Sequence, residues 1–234
     1  MAASPTGIYP IQDGVVALTD CLLKFDQCAV ILTGSKSYES SGSLTPSFGY
    51  SMTAKGKKIT HDIFRQFIAF DVRNYSGSIT DPKLKVYSTN KNTGNKYRAV
   101  LSTAFGGNGS KPIEVEDFGT IDRSKSYTGT ETAWVTSSFN YIPLNNLVTS
   151  SISESSYLTL ALIDGDFDYP LGTPSVPGDY FKSIYQSGSL YPPELLFTHS
   201  FGWTGGDIMG ISPSSLSSLN GVDLSNIESI NGVT

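Results

Sequence analysis

Apolar and polar positions alternate along most of this chain, in runs of five to ten residues punctuated by Gly, Pro, Asn and Ser. That period of two is the mark of β-strands, and the punctuation is the mark of turns. In IFRQFIAFDV (63–72), Phe64, Phe70 and Val72 share one parity and Ile63, Phe67 and Ala69 the other, so both faces of this strand are expected to be covered. PKLKVYST (82–89) puts Leu84 and Val86 on one face and Lys83, Lys85 and Tyr87 on the other, which predicts a half-exposed strand. NKNTGNK (90–96) reads as a hairpin turn into YRAVLSTAF, and GGNGSKP as a break before the β-type run IEVEDFGTI. SYTGTETAWVTSSFNYIPL supplies a further strand, SYLTLALIDGDFDY (156–169) the most strand-like run, and YFKSIYQS and PELLFTHSF the last two. CLLKFDQCAVILTG reads as a strand or a pair of strands, SKSYESSGSLTPSFGYS as loop, and LNNLVTSSI (144–152) as one short helix. Many short strands with almost no helix predict an all-β, antiparallel two-sheet sandwich.

The two ends break this pattern. Pro5, Gly7, Pro10 and Gly14 make residues 1–20 read as an extended arm, leaving 21–203 for the sandwich and 204–234 for a tail. The tail repeats itself: Leu216-Ser-Ser-Leu219-Asn-Gly-Val222 returns eleven residues later as Ile227-Glu-Ser-Ile230-Asn-Gly-Val233. Ser212-Pro213 is a helix start, Ser225 and Glu228 fit a capping box, and each Asn-Gly fits a helix stop. The tail is therefore expected to be two helical stubs of about two turns, too short to be stable alone. Their apolar side chains, Leu216, Leu219, Val222, Ile227, Ile230 and Val233, would then face one way and order only against another surface.

Composition narrows the picture further. The 234 residues are 38% hydrophobic and 12% aromatic, enough for a real core, and only 16% charged. A net charge of −5 argues against nucleic acid, whose binding needs a basic face. No run approaches the roughly 20 apolar residues that cross a bilayer, and the start lacks the basic and long apolar regions of a signal peptide. Cys21 and Cys28 fit no zinc pattern and read as two free, half-buried thiols rather than a bridge.

Three groups of residues carry candidate chemistry. Asp164, Asp166 and Asp168 alternate at a strand end, where carboxylates can converge on calcium, although Tyr169 and Ser175 stand where an EF-hand loop needs Gly and Glu. No other cofactor is expected. Among the aromatic residues Trp134, Tyr141, Tyr169, Tyr180, Tyr185, Tyr191 and Trp203, the candidates for stacking on a sugar are Trp134, Tyr180 and Tyr185. His61 and His199 are the only imidazoles, and no nucleophile elbow, zinc-protease motif or Walker loop is present, so no enzyme is expected.

FRQFIAFDV…GSITDPKLKVYST resembles the R-x-F-(I/L)-x-F-D…I-x-x-A-x-L-x-(L/V)-Y signature of DNRLRE-type modules, and YLTLALIDGDFDY with YFKSIYQSGSLYPPELLFTH resembles their closing pattern. Gln186-Ser187-Gly188 departs from that pattern, where the family tends to have Ser-x-Glu. The likeness spans about residues 30–201 and implies a jelly-roll sandwich related in shape to carbohydrate-binding modules. The I-x-x-I-N-G-V tail is similar to repeats that end many structural proteins of tailed phages. Together these imply a non-enzymatic virion protein: a head fibre, capsid decoration or tail-associated protein, assembled in the host cytoplasm. Its partners would be its own copies, in a trimer, and other virion proteins, with one terminus holding the particle and the other making the oligomer. The rival expectation is a lectin-like module that recognises cell-surface glycan.

Overall fold

The computed structural model describes residues 4–39, 47–75, 78–89, 96–128 and 133–200, together with the backbone of 218–219 and 222–223. In chain order the elements are β1 (Ser4–Ile8), β2 (Gln12–Cys21), α1 (Phe25–Ala29), β3 (Lys36–Glu39), β4 (Phe48–Lys55), β5 (Lys58–Asp71) and β6 (Ser78–Tyr87). They continue with β7 (Tyr97–Ser102), β8 (Ile121–Ser126), β9 (Phe139–Pro143), α2 (Asn146–Glu154), β10 (Tyr157–Asp164), β11 (Gly178–Lys182) and β12 (Glu194–Ser200). They form an all-β sandwich of two antiparallel sheets. The smaller has the order β1-β12-β6-β9, and the larger the order β11-β4-β5-β10-β7-β8, with β2 and then β3 on the other edge of β5.

Alternation explains the packing between the sheets. Ile68 and Phe70 of β5 and Leu158, Leu160 and Leu162 of β10 meet Leu84, Val86, Ile142, Leu195 and Phe197 of the smaller sheet. Each such side chain contributes about 1.5–3 kcal/mol on burial. The helix α2 adds Val148 and Ile152 to this core, and its N-terminus is capped by Asn145, whose side chain accepts from the Leu147 amide. Gln66 and Gln186, both buried, hydrogen-bond reciprocally at 2.8 Å. The segment that departs from the DNRLRE pattern therefore has a structural role of its own here.

The other parity of β5 is covered too. Ile63, Phe67 and Ala69 pack with Ala161 and Ile163 under a second layer made of α1 and the loops that carry Phe105, Ile113, Phe118 and Phe167. Gly49 marks a switch between the two cores. At φ 122° it breaks the alternation of β4, so Phe48 joins the inter-sheet core while Tyr50 and Met52 join the second layer.

Several expectations are corrected. Residues 4–21 are not an arm: β1 is an edge strand, Tyr9–Ile11 cross over, and β2 pairs with β5 with Val15, Val16 and Ala17 at 0% exposure. The apolar run VVAL outweighs the prolines and glycines, because burying it is worth more than they cost. β6 and β7, expected to be joined as a hairpin, lie in different sheets, and residues 90–95 between them are outside the described residues. Val115–Gly119 is a 3-10 helix rather than a strand, and Lys36–Glu39 is a strand rather than loop.

The cysteines are also corrected: Cys21 and Cys28 form a disulfide, with Cα atoms 6.2 Å apart. A register shift between Leu18 and Cys21, with Asp20 at φ 57°, turns Cys21 to the same side as Val16 and Leu18. The single turn of α1 then brings Cys28 back beneath it. Closing a loop this short constrains the unfolded chain by roughly 2–3 kcal/mol. The urea midpoint of the protein should fall by that equivalent in reductant, and the Cys21→Ser/Cys28→Ser double variant should start low and ignore reductant.

In the tail, Ser218–Leu219 (β13) pairs antiparallel with Val222–Asp223 (β14), where a helical stub and its stop were expected. The intervening residues are Asn220-Gly221, and Asn-Gly between two paired segments is the strongest short hairpin signal. Leu216, Ile227, Ile230 and Val233 lie outside the described residues.

Candidate functional site

The aspartates proposed for calcium do not converge on a cation. Asp168, in the loop after β10, is fully buried and accepts from Arg65 through both oxygens, at 2.7 and 2.8 Å, and from Arg123 at 2.7 Å. Burial opposes its charge, but the two guanidiniums outweigh it and hold the carboxyl below the usual carboxylate range. Both arginines also donate to the Ala29 carbonyl, and Arg65 donates to that of Phe118 while lying 3.8 Å above the Phe118 ring. The triad therefore ties α1, the Phe118 segment and the loop after β10 to β5. Asp164 spends one carboxylate oxygen on the amides of Asp166 and Phe167, and Asp166 accepts from the Lys96 amide. Among the described residues no group of His, Cys, Asp and Glu is placed to hold a metal.

The three aromatic candidates lie apart. Trp134 packs edge-on against Phe48 and Tyr97 at the inter-sheet core and donates to the Ser88 hydroxyl. Tyr180 stacks on Tyr50 in the second layer. Tyr185 lies in a cluster with Tyr87, Phe139 and Tyr191 on the outer side of the smaller sheet. The imidazoles are separate as well: His61 on β5 meets Phe25, and burial pushes its pKa down, whereas His199 on β12 meets Tyr75.

That cluster belongs to a surface that no single strand pattern reveals. The outer face of the smaller sheet is built in rows set by register. Tyr87 stands opposite Phe139 and stacks on Tyr191 at 4.5 Å. In the next row Lys85 lies between Glu194 of β12 and Tyr141 of β9. Its ammonium sits 2.8 Å from the Glu194 carboxylate and 4.7 Å above the Phe139 ring. The Glu194 hydrogen bond and charge outweigh desolvation and raise the Lys85 pKa. In the third row Lys83 meets Leu196 and Pro143.

Beyond that row β6 bulges. The register shifts between Leu196 and Thr198, and Asp81 adopts φ 53°, which places its carboxylate on the outer face 2.6 Å from the Lys83 ammonium. A groove of about 300 Å³ results, lined by Pro5, Gly7, Asp81, Lys83, Tyr141 and Thr198 among others. A side chain at Gly7 would meet the end of the Glu194 side chain, which would have to move aside. Tyr141 forms a wall of the groove and is 47% exposed.

A second cleft of about 340 Å³ includes Gln12, Asp13, Glu39 and Ser187 in its lining, but its buried carboxylate, Asp13, is held by the amide and hydroxyl of Ser187. Period-two reading of β6 had already put Lys83, Lys85 and Tyr87 on one face. Their partners on β9 and β12 depend on sheet order, which alternation does not encode. Compared with known protein families and with curated proteins, the chain matches none.

Proposed function

We propose that this chain is a non-enzymatic structural protein of a phage virion, a head fibre, capsid decoration or tail-associated protein, which assembles through its terminal repeats and displays the sandwich. The observation that carries this reading is the pairing of β1 with β12, which sets Ser4 opposite His199. The chain therefore enters the sandwich and leaves it toward residues 201–234 at the same place. Docking falls to that one pole, not to opposite ends, because residues 4–21 are used up inside the two sheets. The repeated aliphatics that follow Ser200 supply the contact chemistry, and the rest of the body stays free for display. The Cys21–Cys28 bridge suits a protein that ends up outside the cell, where disulfides persist.

Mass measurement tests the reading. The full chain is expected to be an oligomer, a trimer, and residues 1–204 to be monomeric or at least smaller, since the described strands of the sandwich are complete by Ser200. Ile227→Ser with Ile230→Ser should act like the truncation. A full chain that is monomeric at micromolar concentration overturns the proposal.

A further inference from the structure

We infer that the groove on the outer face of the smaller sheet receives the closing repeat, residues 227–233, of a second copy of this chain. The inference rests on the reading that the repeats make the oligomer, and it names the surface that they meet.

The chemistry follows from both partners. Ile227, Ile230 and Val233 recur three residues apart, so the repeat gains chiefly by burying aliphatic surface. The groove offers a surface of that kind. Leu196 stands on the inner strand β12 but outside the inter-sheet core that its neighbours Leu195 and Phe197 join. Gly7, with no side chain, leaves the β1 side low, and Tyr141 forms the opposite wall. The volume, about 300 Å³, lies at the small end of the range for binding sites and suits the few aliphatic side chains that one repeat carries.

Charge agrees with this pairing. The charged side chains of residues 201–234 are Asp207, Asp223 and Glu228, all acidic. The one ammonium that lines the groove is Lys83, which touches Asp81 at 2.6 Å and keeps further protons to donate. Glu228, next to Ile227 in the repeat, can therefore share Lys83 with Asp81. The first repeat suits the groove less well, because Ser218–Leu219 is already paired with Val222–Asp223.

Position favours exchange between copies. Thr198 lines the groove and stands two residues before Ser200, where β12 ends, so each copy carries its groove beside the exit of its own tail. Ile227 follows Ser200 by 227 − 200 = 27 residues. A stretch of that length reaches roughly 25–30 Å even as a random coil, about the width of a small domain. A repeat can thus cross to a neighbour docked at the same pole. Giving one repeat and taking one is a heterologous contact, which closes into a ring when the rotation fits, and exchanging an identical element is a low-cost route to an oligomer. In a ring of three, every groove is filled.

The test uses the full chain, co-produced in two differently tagged forms, one carrying Tyr141→Cys and the other Ile230→Cys. Cys21 and Cys28 are joined to each other, so a short bismaleimide reacts with the introduced thiols alone. A covalent pair holding both tags is expected. Tyr38→Cys in place of Tyr141→Cys, at a similarly exposed tyrosine on β3 of the other sheet, should give none. Should Tyr141→Cys misfold, Pro5→Cys on the exposed edge strand β1 replaces it, with the same result expected. Separately, Tyr141→Ala should weaken the oligomer about tenfold, the loss of one anchoring ring. An oligomer that yields no mixed pair from either groove position, or that Tyr141→Ala leaves as tight as before, overturns the inference and leaves the assembly reading standing. A monomeric full chain overturns both.

Discussion

Asp168→Ala should destabilise the protein by about 3–5 kcal/mol, the penalty of leaving buried guanidinium charge without its counter-ion. Arg65 is the largest fully buried side chain, and Asp168 is its only carboxylate partner among the described residues. Arg123, partly exposed, can turn toward water, but Arg65 cannot. Because a domain is stable by roughly 5–15 kcal/mol in total, the variant should unfold at a much lower urea concentration, or fail to accumulate. Asp166→Ala, which removes one hydrogen bond to the Lys96 amide and a minor attraction to the Lys182 ammonium, should cost far less, about 1 kcal/mol.

Since the Asp168 pKa is lowered in the fold, its contribution is complete above the unfolded carboxylate value and is lost as acid protonates it, so the two proteins converge at low pH. Calcium and EDTA should leave the urea midpoint of the natural chain unchanged. A variant within 1 kcal/mol of the parent, or stabilisation by calcium, would sink both the clamp and the correction it implies.

Arg65 shows how much of the fold was legible. The alternation of FRQFIAFDV places it inward by parity, between Ile63 and Phe67, and an inward arginine demands a buried acceptor. That much can be read from the string. That the acceptor is Asp168, a hundred residues downstream, cannot, because it depends on loop geometry. The same divide runs through the molecule. β5, β6, β10 and α2 are legible because each is fixed by its own periodicity or cap. The N-terminal strands were hidden because proline and glycine punctuate residues whose pairing is long-range: Ser4 with His199, Gln12 with Ala69.

The disulfide was hidden by a bulge at Asp20 that no spacing rule anticipates. Asn-Gly in the tail suits both a helix stop and a hairpin, and the pairing of β13 with β14 decides between them. For the groove, β6 alone revealed its polar face, whereas Tyr141, Thr198 and Gly7 arrive from three other strands.

Lys182→Met should make the protein more stable at neutral pH, by an amount that disappears in base. Lys182 lies on β11 with 3% exposure, beside Trp134, and burial pulls its pKa from 10.5 to about 8 against the opposing pull of Asp164 and Asp166. Below pH 8 the folded chain must hold a desolvated ammonium. Between pH 8 and 10.5 the unfolded chain binds more protons at this site than the folded one, so stability rises with pH across that window. The full difference is roughly 3.4 kcal/mol at most, from 1.36 kcal/mol per pKa unit over the fall from 10.5 to about 8.

Methionine fills a similar volume without charge, and Asp164 keeps the amides of Asp166 and Phe167, which offset part of the attraction it loses with the ammonium. Urea unfolding at pH 7, 8, 9 and 10 should show the advantage of Lys182→Met shrinking steadily above pH 8. A gap that stays flat from pH 7 to 10 would mean that the ammonium is solvated or fully compensated, and that this end of the sandwich is wetter than its packing implies.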